Sequence, residues 1–261
     1  MPIGSITRGT TGTNRLRRID RWIAQLPAFR RAADPLVVDL GYGASATTSL
    51  ELHQRLARLR PTVQVVGLEI DPARVALAAL SARPGVRFAL GGFEVPLPGG
   101  RSATVIRALN VLRQYDESEV LTAWRLMVSR LEPGGVLVEG TCNEVGRVAC
   151  WVDVASGGPR TLTVSLRLAD LERPSIVAER LPKVLIHRNV PGERVHAFLR
   201  DLDRHWQLNA ALSVYGPSQR WIATAQGLAN EGWSVRGGRS RWKLGELSVD
   251  WAAVAPQGFA W

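Results

Sequence analysis

The chain has 261 residues, 46% of them hydrophobic, enough to bury the core of one elaborated α/β domain or of one domain with a cap. Its 33 Lys and Arg against 23 Asp and Glu leave a formal charge of +10, which suits either a polyanionic partner such as nucleic acid or a diffusely basic surface. No run approaches the ~18 apolar residues of a bilayer span, the opening stretch lacks a signal-peptide core, and Cys142 and Cys150 are too few for a disulfide framework and lack metal-site histidines, so a cytoplasmic chain without a resident metal is expected.

Residues 1–34 read as a polar arm followed by a basic amphipathic helix, in which Leu16, Ile19, Ile23 and Leu26 recur at helical spacing and Arg15, Arg17, Arg18 and Arg21 occupy the remaining face. That basic face is expected to be solvated. From residue 35, strands near 35–40, 63–69, 86–90, 103–108 and 135–141 alternate with helices, as parallel βαβ units require. Asp71 before Pro72 is expected to cap one helix. Asp116 is expected to cap another, which Pro133 and Gly134 stop. A segment over 142–215 follows, with a hairpin around Gly157-Gly158-Pro159 and a helix over 193–207. Residues 216–261 close the core with a helix and an antiparallel strand pair. Trp206, Trp221 and Trp233 suit either the core or an aromatic acceptor pocket.

The segment Val37-Val38-Asp39-Leu40-Gly41-Tyr42-Gly43-Ala44-Ser45 carries the functional signal. A short apolar strand runs into glycines that allow a tight turn and a close ligand approach, and a helix-compatible stretch, 47–60, follows. Glu69 ends a second apolar strand on the same sheet edge, where a carboxylate can accept from both ribose hydroxyls. Read loosely, Gly41 to Ala46 also fits the dinucleotide fingerprint of an NAD(P) oxidoreductase. Asp39 argues against it, because a carboxylate there would repel a pyrophosphate and suits an ammonium.

These residues resemble the first motif of the class I S-adenosylmethionine-dependent methyltransferases, with Asp39, Leu40, Gly41 and Gly43 in place and Ser45 standing where the family has a third glycine. Two further stretches resemble that family: Ala108-Leu109-Asn110-Val111-Leu112 at the end of the fourth strand, and Leu131-Glu132-Pro133-Gly134-Gly135-Val136 leading into the fifth. The resemblance covers 35–141. It implies a Rossmann-like, seven-stranded, mostly parallel sheet with helices on both faces, an antiparallel last strand, and an insertion after the fifth strand that selects the acceptor.

By the same resemblance the enzyme transfers a methyl group from S-adenosyl-L-methionine by in-line displacement. Asp39, Gly41, Tyr42, Gly43, Glu69, Ile70, Gly92, Phe93 and Asn110 would bind the cofactor, with Glu69 on the ribose, Ile70 on the adenine, and Glu94 or a backbone group on the adenine amino group. If the acceptor needs a base, His187, Tyr115, His205 and His196 are the candidates. Asn110 is followed by Val111-Leu112-Arg113 rather than an NPPY-like run, which does not support amino methylation of nucleic-acid bases. The acceptor is a small molecule or a nucleic acid, and a cofactor-binding module without catalysis is the non-enzymatic alternative.

Overall fold

The computed structural model describes residues 2–261. α1 (Arg17–Ile23) and α2 (Pro27–Arg31) precede β1 (Leu36–Leu40), after which come α3 (Thr47–Ala57), β2 (Gln64–Glu69), α4 (Pro72–Ala79), β3 (Val86–Leu90), β4 (Ala103–Leu109), α5 (Glu117–Val128) and β5 (Leu131–Cys142). The second half holds β6 (Val148–Ala155), β7 (Gly158–Leu166), α6 (Lys183–Ile186), α7 (Arg194–Leu208), α8 (Pro217–Asn230), β8 (Val235–Arg236), α9 (Arg239–Trp242) and β9 (Glu246–Asp250).

All strands join one mixed sheet in the order β3-β2-β1-β4-β5-β6-β7-β9-β8. Neighbours from β3 to β5 are parallel and those beyond are antiparallel. The parallel half has the strand order of doubly wound nucleotide-binding sheets, whose ligands sit outside the carboxyl ends of the strands.

The sheet has nine strands where seven are expected. The difference lies in the hairpin, which does not stand off as a cap. β6 pairs with β5 from Leu137↔Val154 to Cys142↔Ala149, and the terminal pair β9-β8 attaches beyond β7. Ala149 to Val152 are buried, as befits a strand covered on both faces, and the pairing leaves no free β5 edge.

Two apolar layers flank the sheet. Leu36, Val38 and Leu40 face the layer built on α5, α7 and α8. Val37 faces the layer built on α1, α2 and α3, with Ile19, Ile23 and Phe29 fully buried there. The period of two along a strand therefore turns Asp39 toward α1 and α3 with Val37. Trp206 and Trp221 meet edge-to-face at 6.1 Å between α7 and α8, and Trp233 packs on Phe198 at 5.3 Å, so these tryptophans are core and not an acceptor pocket.

Local signals explain the element ends. Asp71 Oδ1 accepts from Ala73 N at 2.9 Å, with Pro72 at the first helical position of α4. Asp116 and Glu119 form a capping box at the start of α5. That helix ends at Val128, before Pro133: Leu131 already pairs with Ala103, and the proline and glycines are taken into an irregular start of β5. The basic face of α1 is solvated only at Arg17. Arg18 reaches Ser165 Oγ and the Leu244 carbonyl, Arg21 pairs with Glu246 at 2.5 Å, and Arg15 is buried, so α1 is tied to the antiparallel half of the sheet.

Candidate cofactor cleft and adjoining cavity

The glycine turn lies at the carboxyl end of β1. Gly41 donates to the Leu68 carbonyl at 2.7 Å, and Gly43 N donates to Glu69 Oε2 at 3.0 Å. Gly43 has φ +88, and a Cβ there would lie 2.7 Å from the Gly9 carbonyl oxygen, so both the conformation and the space demand glycine. Ser45, where a third glycine is expected, turns away from the cleft: its Oγ donates to Thr47 Oγ1 at 2.9 Å, in the turn that starts α3.

Glu69 stands at the end of β2, 2% exposed, with Oε1 accepting from Ile70 N at 2.9 Å. Arg74 Nη1 is 3.8 Å from its other oxygen. Ile70, Gly92, Phe93 and Tyr115 wall the slot beyond it, Phe93 and Tyr115 in edge-to-face contact at 5.1 Å. These expected residues are brought together.

The slot is filled by the chain's own arm. Phe93 N donates to the Ile3 carbonyl at 2.9 Å, while Ile3 N donates to Glu94 Oε2 at 2.7 Å. A Cβ at Gly4 would lie 2.8 Å from the Tyr115 hydroxyl and 3.5 Å from Ile70 and Phe93, and Ser5 N donates to the Tyr115 hydroxyl at 2.5 Å. The Ile3 backbone thus offers, through its N–H and its carbonyl, one donor to a carboxylate and one acceptor to a backbone N–H, the same pair of functions that the amino edge of an adenine presents. A crevice of about 20 Å³ is left, room for roughly one water.

Next to the slot, between the glycine turn and the ends of β4 and β5, opens a cavity of about 510 Å³, within the range of small-molecule sites. Arm residues 7–10 form one wall. Asn110 lines another with φ +63, and its side chain bridges the strands, accepting from Cys142 N at 2.9 Å and donating to Cys142 Sγ at 3.3 Å. Arg8, Arg15, Arg113 and Arg180 also line the cavity, with Glu144 as its carboxylate. The Arg15 guanidinium is held by the carbonyls of Thr10 and Asn143. Thr141 Oγ1 donates to the Arg180 carbonyl at 2.5 Å and so anchors that residue at the β5 end.

Three expected placements are corrected. Asp39 opens on neither cleft nor cavity: its carboxylate accepts from Thr48 Oγ1 at 2.9 Å, Ser49 Oγ at 2.7 Å and Arg107 Nε at 3.0 Å, so the cation beside it is the protein's own guanidinium. Tyr42 is buried beneath α4, edge-to-face with Phe88 at 5.2 Å, and can offer a ligand only its backbone. The base candidates lie elsewhere. Tyr115 belongs to the slot, and burial raises the pKa of its hydroxyl. His205 is on α7 with Nε2 2.9 Å from Glu231, His187 is exposed at the end of α6, and His196 pairs with Asn189. None of these histidines lines the cavity.

The cavity arginines were not singled out as site residues from sequence. Arg113 lies three residues beyond Asn110, inside a stretch read only for what it lacked. Arg180 arrives from a segment beyond β7 that no local motif marks.

No family model and no curated protein matches this chain. Solved structures do. The chain is similar to the CcbJ methyltransferase from Streptomyces caelestis, with 21% identity, a TM-score of 0.40, and coverage of 61% of this chain and 73% of that one. It is similar to human N-acetylserotonin methyltransferase in complex with SAM, with 22% identity, a TM-score of 0.37, and coverage of 51% and 36%. It is also similar to CalS10, an amino pentose methyltransferase from Micromonospora echinaspora, with 25% identity, a TM-score of 0.37, and coverage of 61% and 66%. The chain spans about a third of the length of the human enzyme.

Proposed function

We propose that this chain is an S-adenosylmethionine-dependent methyltransferase with a small-molecule acceptor. The observation that carries the reading is a slot lined by Glu69, Ile70 and Phe93, in which the Ile3 backbone, through its N–H to Glu94 and its carbonyl from Phe93 N, makes the pair of hydrogen bonds that an adenine edge can make. The residues fit the cofactor's nucleoside in place of arm residues 3–5. Glu69 would accept from the ribose hydroxyls, Ile70 and Phe93 would enclose the base, and Glu94 and Phe93 N would meet its edge. The Gly41–Gly43 turn and Asn110 would border the methionine end, with Arg15 at hand for its carboxylate.

When bound, the cofactor supplies an electrophilic methyl carbon on a sulfonium, so that the carbon–sulfur bond breaks as the acceptor–carbon bond forms and the electron pair stays on sulfur. The chain's own part is alignment and exclusion of water. The arm and the β4 and β5 ends enclose the cavity in which the acceptor would sit. Glu144, the one acidic residue among the cavity's lining residues, would take a proton that the acceptor sheds.

Calorimetry with S-adenosylhomocysteine and with NAD tests the reading: the expected result is binding of the former, and binding of NAD alone would refute it.

A further inference from the structure

Four arginines, Arg8, Arg15, Arg113 and Arg180, line the 510 Å³ cavity, and Glu144 is the one acidic residue among its lining residues. None of the four stands at ion-pair distance from an acid among the described residues, whereas most other interior arginines do: Arg107 meets Asp20 and Asp39, Arg55 meets Asp20, and Arg241 meets Glu246. Arg15 is satisfied by carbonyl oxygens, and Arg8 is carried in on the arm. Arg113 and Arg180 are fixed to the sheet edge itself. Arg113 Nη1 donates to the Glu179 carbonyl at 2.7 Å, and Arg180 is anchored through its carbonyl by Thr141. Burial, and then the Arg180 charge, hold the Arg113 guanidinium below its usual pKa, and the Glu179 charge offsets only part of this. Like charges set together at a cavity, with no acid at ion-pair distance from either, are costly unless an anion joins them.

The cofactor sharpens the imbalance. Its carboxylate offsets one cation, but its ammonium and sulfonium add two, so the loaded cavity is more positive than the free one. A neutral or cationic acceptor would enter against that field, and an anionic one with it. Resting on the methyltransferase reading, we propose that the methyl acceptor is a small organic anion, a carboxylic acid or phosphate ester, whose anionic group is held by Arg113 and Arg180. The planar, forked donors of two guanidiniums suit either oxyanion. The volume sets the size: the cavity takes a small molecule, not a duplex.

The test follows label from S-adenosylmethionine, tritiated on its methyl group, into an extract of cells that express the chain, separated into anionic small molecules, other small molecules, protein and nucleic acid. The same chain carrying Arg113→Gln and Arg180→Gln is run beside it, and S-adenosylhomocysteine affinity is measured for both. Label in the anionic small-molecule fraction, at least tenfold lower in the double variant with cofactor affinity within threefold of the parent, is the expected result. Partial recovery in the Arg113→Lys, Arg180→Lys chain is expected as well, because charge returns without the fork. Label in any other fraction, no label, or an undiminished double variant overturns the proposal while leaving the methyltransferase reading standing wherever S-adenosylhomocysteine still binds. Failure of the parent chain to bind S-adenosylhomocysteine removes both.

Discussion

Arg107 on β4 grips Asp39 on β1 with two prongs, Nε to Oδ1 at 3.0 Å and Nη2 to Oδ2 at 2.7 Å, across neighbouring parallel strands where the two residues are register partners. Asp20 of α1 takes the remaining side of the same guanidinium, and Arg55 of α3 meets Asp20 at 2.5 Å. The network is buried, and it bolts the first helix to the sheet beneath the glycine turn.

Arg107→Leu leaves two carboxylates without their shared cation. Breaking a buried pair from one side costs about 3–5 kcal/mol. Urea unfolding is expected to show a loss of that order, while the folded fraction binds S-adenosylhomocysteine within threefold of the parent. A large drop in cofactor affinity at unchanged stability would return Asp39 to the cofactor.

Glu69→Ala is expected to weaken S-adenosylhomocysteine by about 1.5–3 kcal/mol, the range for hydrogen bonds to a charged group. Calorimetry reads it directly. Unchanged affinity would remove Glu69 from the ribose.

Glu139 lies on β5, fully buried, and neither carboxylate oxygen has a hydrogen-bond partner in the protein. Burial pushes its carboxyl up to about 8, and the neighbouring Trp124 indole, which makes no hydrogen bond of good geometry, offsets only part of this. The folded state therefore holds a proton that the unfolded chain, titrating near 4.5, has released. This contribution to stability is complete below pH 4.5 and falls by about 1.4 kcal/mol per pH unit until the folded group ionises near pH 8. Unfolding free energy measured from pH 5 to 8 is expected to decline along that slope in the parent and to lose this component in Glu139→Gln. Equal slopes in the two proteins would contradict it.

Tyr115→Phe removes the hydroxyl that accepts from Ser5 N and donates to the Ser5 carbonyl at 3.1 Å. With the arm held less firmly in the slot, association of S-adenosylhomocysteine, followed by stopped-flow tryptophan fluorescence, is expected to quicken severalfold. An unchanged or slower rate would mean that the arm does not compete with the nucleoside.

The positions of the strands in the parallel half were legible because apolar runs, glycine turns and caps such as Asp71 and Asp116 are local signals. The misreading of Asp39 came from taking position in a motif before alternation along the strand: Val37 and Asp39 share a face, and the lone Arg107 within Ala103-Thr104-Val105-Ile106-Arg107 was the sign of a buried partner. The place of the hairpin was not local information, since β6 and β7 read equally well as a cap or as sheet. The arm was invisible for a similar reason. Its hydrogen bonds to Glu94 and Tyr115 span 91 and 110 residues, and its small polar composition reads as a loop.

Seating the hairpin inside the sheet also sets an order of assembly. β1 to β5 can zip together from neighbouring βαβ units, but β7 waits for β9, and the Thr163–Ser248 contact closes a span of 85 residues. Loop-closure entropy makes that step the slow one. Until it happens the outer edge of β7, where Leu162, Val164 and Leu166 alternate with Thr161, Thr163 and Ser165, lacks its partner strand, and an open edge of that kind can pair with another chain.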